Sequence, residues 1–329
     1  MTGPAREASA LAMALTSLAG DLASAGRPFD LWSPPLTPGF IEEAAERVAR
    51  GVVEVLWADK ADPDRGFLLY TPSPGETDFF GYGCARLAGP FLPPENQERR
   101  EAKAAGLAGL AAARARDRGD RLVTLKTGQD PAALRGLLGA GFVLAETVAV
   151  LELDLAKPAG PAGPAGPPPG FAWRESVLAG EEAEALVEAL GDFFYDGHLR
   201  HDPRPGPEAA RRIWRRAALD ELTGEDGKTA DEAVILWDRA LRRGAGLATA
   251  RLGRGREAGL SILALAEPYR GRGLGRHLLL ELIRRLRGQA DRLRAETAAY
   301  NIPALALYQA LGFKPAPPLA ALHLHLDPG

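Results

Sequence analysis

Within thirty residues, between Gly259 and Gly288, the sequence changes period, and this passage restricts the fold more than any other. Gly259 to Ala266 reads GLSILALA, a nearly continuous apolar run of the length of a buried strand. Tyr269-Arg270-Gly271-Arg272-Gly273-Leu274-Gly275 follows it. Beyond that turn Leu279, Leu282, Ile283 and Leu286 recur at helical spacing, Arg284, Arg285 and Arg287 crowd the last turn, and Gly288 supplies a stop. The passage reads strand, glycine-rich turn, helix.

Three glycines at alternate positions keep side chains out of the turn, so several backbone N–H groups can converge on one anion at the positive end of the helix. The pattern predicts a phosphate cradle, and spacing sorts the designs that share it. A P-loop needs Gly-Lys-Ser/Thr at the helix start, whereas Gly275 is followed by Arg276 and His277. A Rossmann fingerprint needs GxGxxG and here the pattern is GxGxG; too little chain remains after Glu296 to complete a doubly wound sheet. An unliganded turn rich in Gly and Arg is the plain alternative.

The third design is Arg/Gln-x-x-Gly-x-Gly/Ala, met by Arg270, Gly273 and Gly275. Downstream, the strand-like Leu293–Thr297 leads into Asn301-Ile302-Pro303-Ala304, then Tyr308 and Gly312-Phe313. In both motifs the sequence resembles the GNAT superfamily of acyl-CoA-dependent N-acetyltransferases. The resemblance implies an α/β (α+β) GNAT fold, a mixed central sheet flanked by helices, and acetyl-CoA as cosubstrate. It also implies that the loop Arg270, Gly271, Arg272, Gly273, Leu274 and Gly275 holds the pyrophosphate. The pantetheine arm would lie along Leu263, Ala264 and Leu265.

At 329 residues the chain has room for two domains. Lys157–Gly170, KPAGPAGPAGPPPG, reads as a semi-rigid linker. The expected organisation is an extension over 1–38, a first domain over 39–156, the linker over 157–170 and a complete acetyltransferase domain over 171–329. A repeat supports two related halves: Asp130-Pro131 to Gly141-Phe142 aligns with Asn301-Ile302-Pro303 to Gly312-Phe313 at one offset of 171 residues. The first half has no Arg-x-x-Gly-x-Gly loop, so it is expected to be a degenerate GNAT-like domain without a coenzyme site. An incomplete half before a complete one, with Asp78–Gly81, Leu122–Phe142 and His198–Trp214, is similar in layout to dTDP-fucosamine acetyltransferases. That narrower resemblance implies an amino-sugar nucleotide acceptor, with His198, Arg200 and His201 in its binding loop.

For the transfer itself, the family motif makes Tyr308 the candidate general acid: a phenol with a reference pKa of about 10 stays protonated at neutral pH and can protonate a departing thiolate. A core tyrosine beside Leu305 and Phe313 is the alternative. The base stays open between Glu296, Glu267 and a water relay, with Glu296 the residue named. Asn301 is an N-cap for the helix opening at Pro303 and lies near the coenzyme by resemblance. Trp214 reads as a core residue of its helix rather than a stacking platform. No metal site is expected, since His198, His201 and Asp202 lack a third spaced partner.

A net charge near −3 argues against nucleic acid, and no run reaches the roughly 18 apolar residues of a membrane span. Cys84 is the only cysteine, so no intramolecular disulfide can form. Leu11–Leu15 imitates a signal peptide faintly; interruption by Thr16 and Ser17 favours an Ala-rich helix and a cytoplasmic protein. The expected partner is a small-molecule amine, with a homodimer as the assembly. Acetylation of a peptide N-terminus, or a CoA-binding regulatory module in which Tyr308 is structural, are the other readings.

Overall fold

The computed structural model describes residues 3–327 except 25–37, 60, 63–65, 158–165, 175–177, 179, 192–196, 201, 203, 224–229 and 254–255. The chain divides into two compact units, Met1–Val148 with Pro317–Gly329, and Ala149–Ala316. Most of the expected linker lies outside the described residues, as does the Pro-rich end of the N-terminal extension.

The first unit holds helices α1 (Gly3–Ser24), α2 (Pro38–Ala49), α3 (Pro74–Phe80), α4 (Gln97–Arg118) and α5 (Pro131–Gly139). Its strands β1 (Glu54–Trp57), β2 (Phe67–Pro72), β3 (Gly83–Phe91) and β4 (Asp120–Gly128) lie in that order, with β11 (Lys314–His325) beside β4. β3 and β4 are parallel with α4 as crossover, while β4 and β11 are antiparallel from Leu319↔Gly128 to His325↔Leu122. Leu11 and Leu15 of α1 are fully enclosed in the core of this unit, with Phe67, Leu107, Leu137 and Leu322. The apolar run near the N-terminus is therefore one face of a core helix. The buried residues of α1 recur at i, i+3, i+4 and i+7 through Leu11, Ala14, Leu15 and Leu18. Cys84 is buried, and burial raises its thiol pKa to about 12, so it is an inert packing residue.

The second unit runs from the end of β5 (Val143–Asp154) through β6 (Phe171–Arg174), α6 (Gly180–Leu190), α7 (Gly206–Thr223), β7 (Glu232–Asp238), β8 (Arg243–Gly253), β9 (Glu257–Leu265), α8 (Leu274–Leu286), β10 (Arg292–Ala298) and α9 (Ile302–Ala310). Its sheet order is β5-β10-β9-β8-β7-β6. β6 through β9 are antiparallel neighbours, and β9 and β10 are parallel with α8 as crossover. The turn expected at Arg242–Gly246 lies three to four residues earlier, at Arg239–Arg242, where Asp238 Oδ1 accepts from the amides of Ala240 and Leu241. Gly244 and Gly246 belong to β8 and are glycine for packing: a Cβ would lie 2.6 Å from Leu186 Cδ1 at the first and 2.5 Å from Leu265 Cδ2 at the second.

The repeat is visible in the elements. α5 and α9 each have nine residues, and β5 and β11 each have twelve, with starts (131 and 302, 143 and 314) 171 residues apart. Asp130 and Asn301 are both helix N-caps whose side chains accept from first-turn amides. Gly141 and Gly312 both take positive φ, at 100° and 88°. After each Gly-Phe turn the strand ends in the other unit: Leu151 and Leu155 of the first repeat are in the core of the second unit, and Leu322 and Leu324 of the second repeat are in the core of the first. No helix of the described residues is long and apolar enough to cross a membrane.

Candidate active site

The ladder between β9 and β10 covers only Glu257–Leu260 against Arg292–Ala295. Both strands continue, β9 to Leu265 and β10 to Ala298, so beyond Leu260 they run on without a ladder between them. One edge of Ser261–Leu265 thus offers backbone groups that a bound chain can pair with.

At the C-terminal end of β9 the loop is held from three sides. Tyr269 is 2% exposed; its hydroxyl donates to Asp238 Oδ2 at 2.9 Å and accepts from Arg243 Nε at 3.1 Å. Those contacts, with the two turn amides, hold the Asp238 carboxyl below the usual carboxylate range, the Leu241 amide being the largest cause. The Arg270 guanidinium donates to the Leu265 carbonyl from Nε and to the Leu190 carbonyl from an Nη, each at 3.0 Å, tying the loop to β9 and to the last turn of α6. Gly271 and Gly273 take φ of 69° and 75°, the left-handed region open to glycine.

Gly273 is the N-cap of α8 and has no side chain to cap the first turn. The orphan N–H groups at this positive helix end are therefore available to a ligand. In the first unit α4 begins differently. Asn96 accepts from the Arg99 amide, and Glu95 and Glu98 place carboxylates at that end, where they would repel a phosphate. That helix start is filled and acidic where α8 is open.

A cavity of about 650 Å³ lies along these elements. β9 contributes Leu260 through Leu265, the loop Arg270, Gly271, Gly273 and Gly275, β10 Glu296 and Thr297, and α9 Pro303, Ala304, Leu307 and Tyr308; Asn301 also lines it. Of the residues named from sequence, Leu263, Ala264, Leu265, Arg270, Gly271, Gly273, Gly275, Asn301, Glu296 and Tyr308 therefore meet at one cavity. Arg272 and Leu274 are not in its lining: Arg272 is exposed with its guanidinium 5.9 Å from the Tyr269 ring, and Leu274 is a core residue. His198 and Arg200 sit in a turn closed by the Arg200 amide to the Gly197 carbonyl, outside the lining, and His201 lies outside the described residues. Lining residues not named as site residues from the sequence are Leu260, Ser261, Ile262, Arg276, Thr297, Pro303, Ala304 and Leu307; for Ala304 and Leu307 the signal was their i, i+3, i+4 spacing with Tyr308 on one face of α9. Trp214, read as a core residue, is half-buried and lines the cavity.

Tyr308 is 5% exposed, packs its ring 5.3 Å from that of Phe313, and among the described residues has no hydrogen-bond partner. Burial alone pushes its pKa up to about 12. Glu296 is exposed and receives Arg294 Nε at 3.2 Å. Asn301 Oδ1 accepts from the Ala304 amide and Nδ2 donates to Thr297 Oγ1 at 2.9 Å, so its observed work is to fix the start of α9 against β10.

A split strand pair, an uncapped helix start and a buried tyrosine meet at one cavity. Residues 194–313 match the acetyltransferase (GNAT) family model. This matched stretch covers most of the second unit, which thus carries a GNAT domain. Among solved structures the chain is similar to the tandem GNAT protein from the clavulanic acid biosynthesis pathway, with 20% identity, TM-score 0.50 and 80% of both chains covered. It is also similar to the GCN5-related N-acetyltransferase of Sphaerobacter thermophilus (15% identity, TM-score 0.55, 87% of this chain and 86% of that one). The corresponding protein of Kribbella flavida gives 15% identity and TM-score 0.55 over 88% of this chain and 95% of that one. At such identities the likeness is one of fold, and it fits a GNAT fold in two parts. No curated protein matches the chain.

Proposed function

We propose that the second unit is an acetyl-CoA-dependent N-acetyltransferase acting on a primary amine. The observation that carries this reading is the uncapped, glycine-lined start of α8 at the same cavity as the unpaired edge of β9 and the buried Tyr308. The residues fit the coenzyme: a Cβ built at Gly271 or Gly273 meets nothing within 4 Å, so there is open space above the amides. A cavity of about 650 Å³ is within the range of about 300–1,000 Å³ usual for cofactor sites.

When bound, the coenzyme supplies an acetyl group activated as a thioester. The loop amides and the α8 dipole would hold its diphosphate, and the edge of Ser261–Leu265 would align its arm. An amide N–H of that edge can stabilise negative charge at the thioester oxygen. Glu296 would accept the proton lost by the amine nitrogen, and the Tyr308 hydroxyl would give its proton to the leaving sulfur. Donation from a phenol of pKa about 12 to a thiolate of about 8.5 is uphill by roughly 5 kcal/mol unless the thiolate is desolvated in the same pocket, and enclosure beside Tyr308 supplies that desolvation.

A dTDP-amino-sugar is the acceptor supported by the layout of Asp78–Gly81, Leu122–Phe142 and His198–Trp214; peptide N-termini and simple amines are the others. Release of CoA thiol from acetyl-CoA across this acceptor panel tests the reading. Turnover falling tenfold or more in Tyr308→Phe, about 1.4 kcal/mol of barrier, with acetyl-CoA affinity unchanged is the expected result. Tight binding without turnover on any amine would favour a CoA-binding regulatory module instead.

A further inference from the structure

We propose that Glu152 and Arg294 are positioning residues for proton removal from the acceptor: Glu152 holds the Arg294 guanidinium, and Arg294 holds the Glu296 carboxylate at the cavity. This rests on the transferase reading above, in which Glu296 takes the proton lost by the amine. Along β10 the side chains alternate between the two sides of the sheet. Leu293 and Ala295 lie in the core of the second unit with Tyr308, so Arg292, Arg294 and Glu296 share the other side.

β5 is the neighbour of β10 in the sheet, and its Glu152 meets that row. Arg294 Nε donates to Glu296 Oε1 at 3.2 Å, and an Nη of the same guanidinium lies 3.6 Å from Glu152 Oε1. The other Glu152 oxygen lies 3.4 Å from an Arg292 Nη. The order is therefore Glu296, Arg294, Glu152, Arg292, with the sign of charge alternating along it. The Arg294 and Glu152 side chains are 22% and 23% exposed, whereas Arg292 at the outer end is 51% exposed. Isolated surface ion pairs add little to stability. Here one half-buried cation is shared by two carboxylates, of which Glu296 lines the coenzyme cavity and Glu152 does not.

This sharing matters when Glu296 changes charge. At rest the row carries two negative and two positive charges. In the transfer the amine nitrogen bonds to the acetyl carbon and the carbon–sulfur bond breaks. One proton passes from nitrogen to Glu296 and one from Tyr308 to sulfur; solvent then takes the proton from Glu296 and restores that of Tyr308. While Glu296 is neutral, Arg294 still has Glu152 beside it, so a half-buried guanidinium is never left without an acid. The cost of protonating Glu296 is lowered accordingly. Holding one carboxylate oxygen by a hydrogen bond also narrows the positions from which the group can meet the amine.

Neighbouring elements bring other charges. β9 brings Glu257, the register partner of Arg292, at the end of the row away from Glu296. β5 ends in Asp154, which is paired with Lys157. At the loop end of the cavity Arg270 donates to the carbonyls of Leu265 and Leu190, and Arg276 has an Nη 3.4 Å from the Ala310 carbonyl. α7 reaches the cavity at Trp214; its Arg211, Arg215 and Arg216 pair with Glu208, Glu188 and Asp220, and it also carries Arg212.

The test is a carbon-13 NMR titration of the full chain labelled at the glutamate carboxyl carbon, with the Glu296 signal identified by its loss in Glu296→Gln. A neighbouring cation favours the charged carboxylate and a neighbouring acid disfavours it. Arg294→Met should therefore move the Glu296 midpoint to higher pH than in the parent, Glu152→Gln should move it to lower pH, and Arg294→Lys should return it toward the parent. Thiol release from acetyl-CoA at pH 7, across the acceptor panel above, should show kcat falling roughly tenfold in Glu152→Gln and Arg294→Met with KM for acetyl-CoA unchanged. Coincident Glu296 titrations in the parent and both variants would overturn the role of the row while leaving the transferase reading standing. Full turnover by Glu296→Gln would overturn the choice of base, and this inference with it. No turnover of any amine by the parent would overturn the transferase reading and everything built on it.

Discussion

At the residue scale Tyr308 combines two properties that exposure would separate: a hydroxyl kept protonated and a ring kept in place by Phe313. Its pKa is raised from 10 to about 12 by burial, so the folded protein holds the proton more tightly than the unfolded chain does. Stability linked to this group is fully present below pH 10 and falls as pH rises toward 12, by roughly 3 kcal/mol if the shift is complete. Thermal melts between pH 8 and 12 should therefore show a steeper alkaline fall for the parent protein than for Tyr308→Phe; parallel curves would contradict the burial of the hydroxyl. The motif Asn301 to Phe313 made this residue legible in advance. Its packing is seen directly, in the Phe313 ring 5.3 Å away.

At the scale of elements, the β9–loop–α8 passage is stabilised by local rules and one distant contact. Gly273 is left-handed at the N-cap, and Gly273→Ala places a Cβ in that conformation at a cost of about 1–2 kcal/mol while projecting into the cradle. The expected outcome is a rise of tenfold or more in KM for acetyl-CoA with a modest loss of Tm, read by steady-state kinetics beside a melt. Arg270→Ala removes two hydrogen bonds to backbone carbonyls and should destabilise the second unit by about 1–3 kcal/mol in urea. Arg270→Lys should fail to restore it, because a single ammonium cannot supply two donors in a planar fork. The sequence motif placed Arg270 in a phosphate loop. That its guanidinium ties β9 to α6 was not legible, because Leu190 is eighty residues away and the bond is made to a carbonyl that every residue has.

At the scale of the whole molecule the repeat is carried by matching elements and by the exchange of their last strands. Leu322 is fully enclosed in the first unit although its strand, β11, begins at Lys314–Ala316 in the second. Leu322→Ala should cost about 2–5 kcal/mol, as large-to-small core changes do, and the loss should appear as faster amide exchange in β4, its ladder partner. Faster exchange confined to β9 and β10 would contradict that placement.

By itself the sequence determined what depends on neighbours within a turn or two: the strand-to-helix change of period, the glycine cradle, the Asp130 and Asn301 caps, the Gly-Phe turns and the period of 171. Those are local because backbone sterics, capping and side-chain spacing act over a few residues. Only the tertiary structure decided where β11 pairs, where the β9–β10 ladder stops, and that Trp214 faces a cavity. A strand's pattern of apolar residues selects a face of a sheet but not the strand beside it. The emptiness of a cavity depends on every wall at once, and no single stretch of sequence contains them all.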